Sequence, residues 1–275
     1  MAMKAKDLYR DIFTRHAATY EQRLEQAMQR GEARGRERVM ELVAARPGMR
    51  ILDLACGPGN LASRLAAKVA PGGEVVGVDL AAGMIERARA RGIPNARFEV
   101  MDIEDLGFAS ASFDAATCGH GLQFVPHLDR ALAEARRVLL PAGPLTASVP
   151  VGSPSQAVQD LLDSVVNRML PPAPRAVDQD ATRKTLADPA AFAEAARRAG
   201  FATASVEAVE ENVVWDSAEQ LVAMFAGWWD CAARLDSLDA EQRRRFIAEA
   251  TQVLRRDHPG RIETTGRNLV LHATA

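Results

Sequence analysis

The sequence predicts an α/β fold built on a seven-stranded, mostly parallel β-sheet whose last strand is antiparallel. Short apolar runs alternate with helical segments between residues 49 and 151, and the first run ends in a Gly-Pro-Gly turn at 57–59. Parallel strands need a crossover segment between them, which a helix usually supplies. A chain of 275 residues that is 48% hydrophobic is long enough to bury such a sheet.

The strands are predicted from apolar, β-branched runs that are bounded by glycine, proline or polar residues. They are residues 49–55, 74–80, 96–103, 113–119, 144–151, 202–215 and 266–275. The segments between the first six carry apolar residues at helical spacing. The helices predicted there are 61–70, 82–92, 128–140 and 189–200.

Helical segments outside this alternation divide the chain further. Residues 1–47 favour an N-terminal helical cap of two helices or one kinked helix, because glycines at 31 and 35 weaken a helix interior. Residues 48–275 form the main domain. Within it, 152–184 (an apolar helix, then a proline-rich and partly flexible stretch) and 217–256 (two helices, 217–234 and 239–256) are expected to be insertions that cap a substrate.

Composition excludes several classes of protein. Lys and Arg number 34 against 36 Asp and Glu, a net charge of −2, so the chain lacks the positive field that nucleic-acid binding needs. Three scattered cysteines suit neither a disulfide scaffold nor a zinc site, and we expect no metal. No apolar run approaches the roughly 20 residues that span a bilayer, and no secretory signal is visible. We therefore expect a cytoplasmic protein without stable membrane insertion, and a homo-oligomer is compatible with the sequence.

The glycine turn after the first strand is the most informative motif. Gly57 and Gly59 let the backbone approach a ligand at a helix N-terminus. With Ala62 they also fit the dinucleotide fingerprint, so a nicotinamide-dependent oxidoreductase is one alternative. Asp53 favours another ligand, since its carboxylate would repel a diphosphate but attract a cation. Asp53 could also simply order the turn through backbone hydrogen bonds.

Two further acids lie near the ends of the next two strands. Asp79 stands at the end of the second strand, where a carboxylate can accept both ribose hydroxyls of an adenosine ligand. Asp102 lies near the end of the third strand, between Met101 and Ile103. These two apolar side chains would flank an adenine ring, and Asp102 would accept a hydrogen bond from its amino group. The alternative for Asp102 is an exposed acid at the end of a strand.

The segments ILDLACGPGN, VVGVDLAAGMIERAR and FDAATCGHGLQFVPHLDRALAEARRVLLPAG, in this order, resemble the UbiE-like (type 11) branch of class I methyltransferases, which use S-adenosylmethionine (SAM). The resemblance covers about residues 9–150 and implies a Rossmann-like fold and SAM as cofactor. FTRHAATYEQ resembles the family's N-terminal box, in which an aromatic residue closes over the methionine moiety. Motifs and resemblance together predict these cofactor contacts: Tyr20, Asp53, Ala55, Gly57, Gly59, Asn60, Asp79, Leu80, Met84, Met101, Asp102, Ile103 and Cys118.

The sequence departs from the family at two places. Ala142 and Pro144 replace the usual glycine-rich turn before the fifth strand, which changes turn geometry. After the fourth strand the chain reads Cys118-Gly119-His120-Gly121, at the edge where the acceptor is expected. This second departure leaves the chemistry at the acceptor less defined than the cofactor contacts.

The resemblance implies methyl transfer to an oxygen, carbon or nitrogen atom of a small, apolar organic acceptor of quinone or secondary-metabolite type. His120 and Gln123 are the candidate catalytic or substrate-orienting residues, because a histidine can accept a hydroxyl proton near neutral pH. His127 is a weaker candidate. A lone loop histidine is more often a hydrogen-bonding surface residue. A SAM-binding protein that does not methylate, or that catalyses a cyclisation, would show the same cofactor motifs.

Bulky apolar residues also cluster in the region 217–234. Met224 and Trp228 are four residues apart, as are Phe225 and Trp229, so two neighbouring faces of a helix would be apolar. Such faces most often pack into a core. The functional alternative is a hydrophobic lid over the acceptor.

Overall fold

The structure is a computed structural model that describes residues 3–152 and 155–275. The first two residues of the predicted N-terminal cap, and residues 153 and 154 of the predicted 152–184 insertion, lie outside the described residues. All positions discussed below belong to the two described ranges.

A seven-stranded sheet forms the centre of the molecule, in the spatial order β3-β2-β1-β4-β5-β7-β6. The strands are β1 Arg50–Leu54, β2 Glu74–Asp79, β3 Ala96–Val100, β4 Ala115–Gly119, β5 Pro144–Pro150, β6 Thr203–Trp215 and β7 Ile262–Thr274. The first five strands pair in parallel. The last strand is antiparallel to both of its neighbours. The predicted fold class is thereby confirmed.

Twelve α-helices surround the sheet within the described residues. They are α1 Ala5–Arg15, α2 Ala17–Gln29, α3 Arg34–Leu42, α4 Asn60–Val69, α5 Ala82–Ala90, α6 Leu128–Val138, α7 Gln156–Met169, α8 Asp180–Leu186, α9 Pro189–Arg198, α10 Ala218–Phe225, α11 Trp229–Leu235 and α12 Ala240–Asp257. A short 3-10 helix, Leu122–Phe124, follows β4.

The helices cover both faces of the sheet, because successive strand residues point to opposite faces. Ile51 and Val75 pack with buried residues of α3, α4 and α5 on one face. Leu52 and Val76 pack with α6 and α9 on the other. Burial on both sides explains why β1, β2, β4 and β5 are mainly apolar runs rather than alternating ones, whereas the edge strand β3 buries only Phe98.

The β6–β7 hairpin is longer than the rest of the sheet. Thirteen residue pairs join its strands, from Thr203 opposite Thr274 to Trp215 opposite Ile262, while β5 pairs only with the half of β7 from Asn268 onward. The projecting end of the hairpin packs with α7, α10, α11 and α12 in a separate hydrophobic cluster. The helices of the two predicted insertions thus share one core.

The N-terminal segment forms three helices rather than the one or two expected. Gly35 lies within α3, where we expected it to weaken the helix. Its N–H donates to Glu211 Oε1 at 3.0 Å, and a Cβ at this position would come within 2.8 Å of Asn268 Cγ. The glycine therefore allows α3 to lie close against the β6–β7 hairpin.

Two other helix predictions need correction. The segment 217–234, expected as one helix, is broken into α10 and α11 at Gly227. The Arg23 guanidinium occupies the space that a Cβ on Gly227 would need. The glycine therefore lets the Arg23 side chain lie against the turn between α10 and α11. The proline-rich stretch 171–184, for which no helix was predicted, contains the start of α8, where the Thr182 hydroxyl is buried and donates to the Pro126 carbonyl at 3.1 Å.

Candidate active site

The main pocket lies at the carboxyl ends of β1, β2 and β4. The strand order reverses between β1 and β4, and open α/β sheets bind ligands at such a switch point. The pocket encloses an empty volume of about 720 Å³, which includes the open space at its mouth. A smaller pocket beside it is lined by Asp53, Arg36 and the glycine turn.

The glycine turn forms the floor shared by both pockets. Ala55, Gly57 and Gly59 have positive φ angles of 51°, 55° and 80°, a region that favours glycine. The Asp79 carboxylate braces this turn, since Oδ2 accepts the Gly57 N–H and Oδ1 accepts the Ala81 N–H, both at 2.9 Å. Burial raises the pKa of Asp79, and the backbone hydrogen bonds oppose that rise.

Asp53 is a buried carboxylate that the protein satisfies only in part. It is 1% exposed. Thr117 donates to its Oδ1 at 2.8 Å, while Oδ2 is buried and has no hydrogen-bond partner among the described residues. Burial, and secondarily the charge of Asp79, raise the pKa of Asp53 to about 7. An orphaned carboxylate oxygen of this kind is suited to a cationic or hydrogen-bond-donating ligand.

Tyr20 and Arg36 face Asp53 across the smaller pocket. Arg36 Nη2 donates to the Tyr20 hydroxyl at 3.0 Å. Arg36 has no carboxylate within 4.0 Å among the described residues, whereas its neighbour Arg38 pairs with Glu207 and Glu41 at the surface. A carboxylate and a guanidinium therefore line the same small pocket, as recognition of a zwitterionic amino-acid group requires.

The far end of the main pocket is apolar with one acidic group. Leu80, Met84, Met101 and Ile103 line it. Asp102 lies between the last two, and its Oδ1 accepts the Glu104 N–H at 2.9 Å. A flat ring could lie among these apolar side chains and donate to the Asp102 carboxylate.

The loop after β4 contributes His120. This residue has a φ of 65° and donates its backbone N–H to the Ser148 carbonyl at 3.0 Å. Its Nε2 is buried without a hydrogen-bond partner among the described residues. Burial, and secondarily the charge of Arg36, lower the pKa of His120 well below its ordinary value, so the imidazole is neutral at physiological pH.

An aromatic cluster closes the other side of the main pocket. The rings of Tyr9 and Phe124 lie 4.7 Å apart, and Trp229 lies 5.1 Å from Tyr9 in an edge-on arrangement. The Tyr9 hydroxyl donates to Gln179 Oε1 at 2.6 Å and accepts from Arg183 Nη2 at 2.9 Å. These bonds tie α1 to α8, so the pocket wall is held by segments that are far apart in the chain.

Comparison with known proteins identifies the family. A family model described as a methyltransferase domain matches residues 51–143. The 2-phytyl-1,4-naphtoquinone methyltransferase of Trichormus variabilis is 41% identical over 48% of this chain, which spans 60% of that protein's length. The nocamycin O-methyltransferase of Saccharothrix syringae is 31% identical, over 79% of this chain and 81% of that protein. The chain belongs to the class I SAM-dependent methyltransferase family.

A solved structure shares the fold of this methyltransferase-family chain. It is phosphoethanolamine N-methyltransferase 2 of Haemonchus contortus in complex with S-adenosyl-L-methionine, with a TM-score of 0.52 and 17% identity, over 86% of this chain and 51% of the other.

Most of the site residues that the sequence predicted converge on the two pockets. Those that line them are Tyr20, Asp53, Ala55, Gly57, Asp79, Leu80, Met84, Met101, Asp102, Ile103 and His120.

Four predicted residues of the methyltransferase site lie behind the pocket walls. Gly59 faces Ala88 and Phe98, and Asn60 donates to Glu25 at 2.6 Å. Cys118 is fully buried, and burial raises the pKa of its thiol to about 12. Gln123 donates to the His120 carbonyl at 2.9 Å, while its Oε1 is buried without a partner in the described part of the chain. Their roles as direct contacts stay predictions.

Sequence reasoning missed two cations of the methyltransferase site. Arg36 lies in an arginine-rich stretch that alternates with Glu, which is typical of a solvated helix face. Lys6 lies in a charged N-terminal segment without any motif. Of the tryptophans, Trp229 joins the aromatic cluster, whereas Trp228 is 50% exposed.

Two features are absent from the part of the chain that the structure describes. No group of three or more His, Cys, Asp or Glu side chains there is arranged to hold a metal ion. None of the helices within 3–152 and 155–275 has the length and apolar character that a membrane crossing requires.

Proposed function

We propose that this protein transfers a methyl group from SAM to a small, largely apolar organic molecule. The single observation that carries the proposal is the buried, half-satisfied carboxylate of Asp53 beside the glycine turn. A dinucleotide would bring its diphosphate to this turn, where the Asp53 and Asp79 charges would repel it. An amino-acid group that carries an ammonium would instead supply the missing partner of Asp53 Oδ2.

The other pocket residues fit the remaining parts of SAM. Asp79 would accept the ribose hydroxyls, because each carboxylate oxygen keeps a second lone pair beside its backbone hydrogen bond. Arg36 would bind the methionine carboxylate, and Tyr20 would cover that end of the cofactor. Leu80, Met101 and Ile103 would hold the adenine.

When bound, SAM supplies an electrophilic methyl group and a good leaving group. The protein's own task is to align the acceptor atom and exclude water. The aromatic side chains of Tyr9, Phe13 and Phe124 line the main pocket and would offer flat apolar walls for an acceptor ring. Two relatives named for methylation of a naphthoquinone and of nocamycin make quinone-like or secondary-metabolite acceptors the first class to test.

His120 is the candidate proton acceptor. A neutral imidazole with an unpartnered Nε2 can take a proton from an acceptor hydroxyl, and Gln123 anchors the His120 carbonyl. The helices of 152–184 and 217–256, together with α1 of the N-terminal cap, would cover the acceptor. The acceptor atom can be oxygen, carbon or nitrogen, and only a hydroxyl requires this proton transfer.

Calorimetric titration tests the cofactor assignment. SAM and its product S-adenosylhomocysteine (SAH) should bind with 1:1 stoichiometry, whereas NAD⁺ should not bind. Asp53→Asn should weaken SAH binding because the amide cannot balance the ammonium charge. Binding of NAD⁺ without SAM or SAH would overturn the proposal.

Methyl transfer needs a second assay. The protein is incubated with methyl-labelled SAM and a panel of naphthols, hydroquinones and their amino analogues, and label in organic-soluble product is counted. Product formation from any member supports methylation. SAH binding without transfer to any member of the panel would count against a methyltransferase of this acceptor class.

A further inference from the structure

Helix α1 presents one face to the main pocket. Lys6, Tyr9, Arg10 and Phe13 all line it, and their spacing places them along one side of a helix. The three others are aromatic or pair at the surface. Lys6 differs because it reaches across the pocket edge to the turn that follows β3, 96 residues away along the chain.

Lys6 there binds two acids at once. Its Nζ lies 2.5 Å from Asp102 Oδ2 and 2.7 Å from Glu104 Oε2. The Glu104 side chain is only 2% exposed, and its other oxygen accepts the His127 N–H at 2.9 Å. Asp102 in turn accepts the Glu104 N–H. Lys6 therefore stabilises the turn that forms the adenine end of the pocket.

The two carboxylates of this turn need a nearby cation. Two carboxylates stand two residues apart, and one is almost fully buried. Among the residues that the structure describes, Lys6 is the only cation within 4.0 Å of either carboxylate. Removing one partner of a buried pair leaves an uncompensated charge, which is strongly unfavourable. Without Lys6, mutual repulsion would drive Asp102 and Glu104 apart.

We propose that Lys6 is a positioning residue for cofactor recognition: it holds the Asp102 carboxylate in place to accept the 6-amino group of adenine. This inference rests on the proposed function. A carboxylate has about four lone-pair sites, and the bonds from Lys6 and from the Glu104 N–H use two of them. Lys6 therefore orients Asp102 and leaves lone-pair sites of the carboxylate free for the adenine. Because Lys6 belongs to α1, the docking of α1 is linked to recognition of the adenine.

The test compares two ligands that differ only at the adenine 6-position. SAH carries the amino group, and its 6-deamino analogue, in which an unsubstituted purine replaces adenine, carries only a hydrogen there and cannot donate to Asp102. The wild-type protein should prefer SAH by about tenfold or more, the scale of a hydrogen bond to a charged group. Lys6→Met should remove most of that preference. Lys6→Arg should restore it, since a guanidinium can bridge both carboxylates.

Lys4→Met is the matched control, because Lys4 is exposed at the start of the same helix and should leave the preference unchanged. Thermal melting of each variant checks that it is folded. Equal weakening of both ligands by Lys6→Met would overturn the inference, since it would mean that Lys6 only docks α1. An unchanged preference would overturn it as well. A wild-type protein that binds SAH with no preference over the 6-deamino analogue would also refute it, whereas one that fails to bind SAH would refute the proposed function itself.

Discussion

The orphaned carboxylate of Asp53 predicts that cofactor affinity depends on pH near neutrality. The pKa of Asp53 is raised to about 7, first by burial and then by the charge of Asp79. In the ligand-free protein at pH 6, only about one Asp53 in ten is ionised, against about nine in ten at pH 8. An ammonium group binds the ionised form, so SAH binding must release the proton first. The affinity for SAH should therefore fall about tenfold from pH 8 to pH 6.

Calorimetry in two buffers with different ionisation enthalpies measures this proton release directly. At pH 6 close to one proton should leave per SAH bound, and at pH 8 close to none. Asp53→Asn should bind SAH more weakly, and its affinity should no longer depend on pH. This result would show that the pH dependence comes from Asp53 and not from another ionisable group. Equal wild-type affinities at pH 6 and pH 8, without proton release, would refute the assignment of Asp53 to the ammonium.

The same carboxylate should limit the stability of the ligand-free protein. Its folded pKa of about 7 lies above the ordinary value of 3.8, so the stability present below about pH 4 is lost as pH rises through 7. The loss is at most about 4 kcal/mol, at about 1.4 kcal/mol per unit. Asp53→Asn should therefore melt at a higher temperature than wild type at pH 8, and the difference should be less than half as large at pH 5, where only about 1.7 kcal/mol of wild-type stability has been lost. A variant that melts lower at pH 8 would contradict this account.

Three further substitutions test other parts of the site. Asp79→Ala should weaken SAH binding by roughly 1.5–3 kcal/mol in calorimetry; unchanged affinity in a folded variant would exclude the ribose role. Gly77→Ala should lower the free energy of unfolding in urea by about 1–3 kcal/mol, because the added Cβ would lie 2.6 Å from the Phe98 ring; a neutral result would mean that the ring moves freely. His120→Gln should reduce turnover of a hydroxyl acceptor while SAH affinity stays the same, and full turnover would exclude a base role.

The centre of the parallel sheet could be predicted from the sequence because β1, β2, β4 and β5 are buried on both faces, whereas the edge strand β3 buries only Phe98. Strands that are buried on both faces are mainly apolar runs, so the predicted 74–80 and the observed Glu74–Asp79 differ by one residue. The glycine turn and the acids at the carboxyl ends of β1 and β2 were predictable for a related reason. They are local in sequence, and the parallel sheet brings the ends of its strands to one edge.

The missed residues act through distant partners. Lys6 carries no motif, and its function depends on Asp102 and Glu104, which only the folded chain brings to it. Arg36 lies on a helix whose pattern suggests solvent, but Gly35 lets that helix approach Asn268 closely. Neither contact can be predicted from the spacing of residues that are close together in the sequence. Helix α8 was missed for the same reason, since it follows prolines and is held by Tyr9 and by the Pro126 carbonyl.

The attachment of α3 to the β6–β7 hairpin has a consequence for how the cofactor pocket is completed. The strands that carry the glycine turn and the acids belong to the first half of the chain, but Arg36 is anchored through Gly35 to Glu211, in the last third. During synthesis, therefore, the nucleoside end of the pocket can be assembled well before its amino-acid end. Ligand binding should therefore stabilise the packing between the N-terminal part of the chain and the β6–β7 hairpin, and make their separation less favourable.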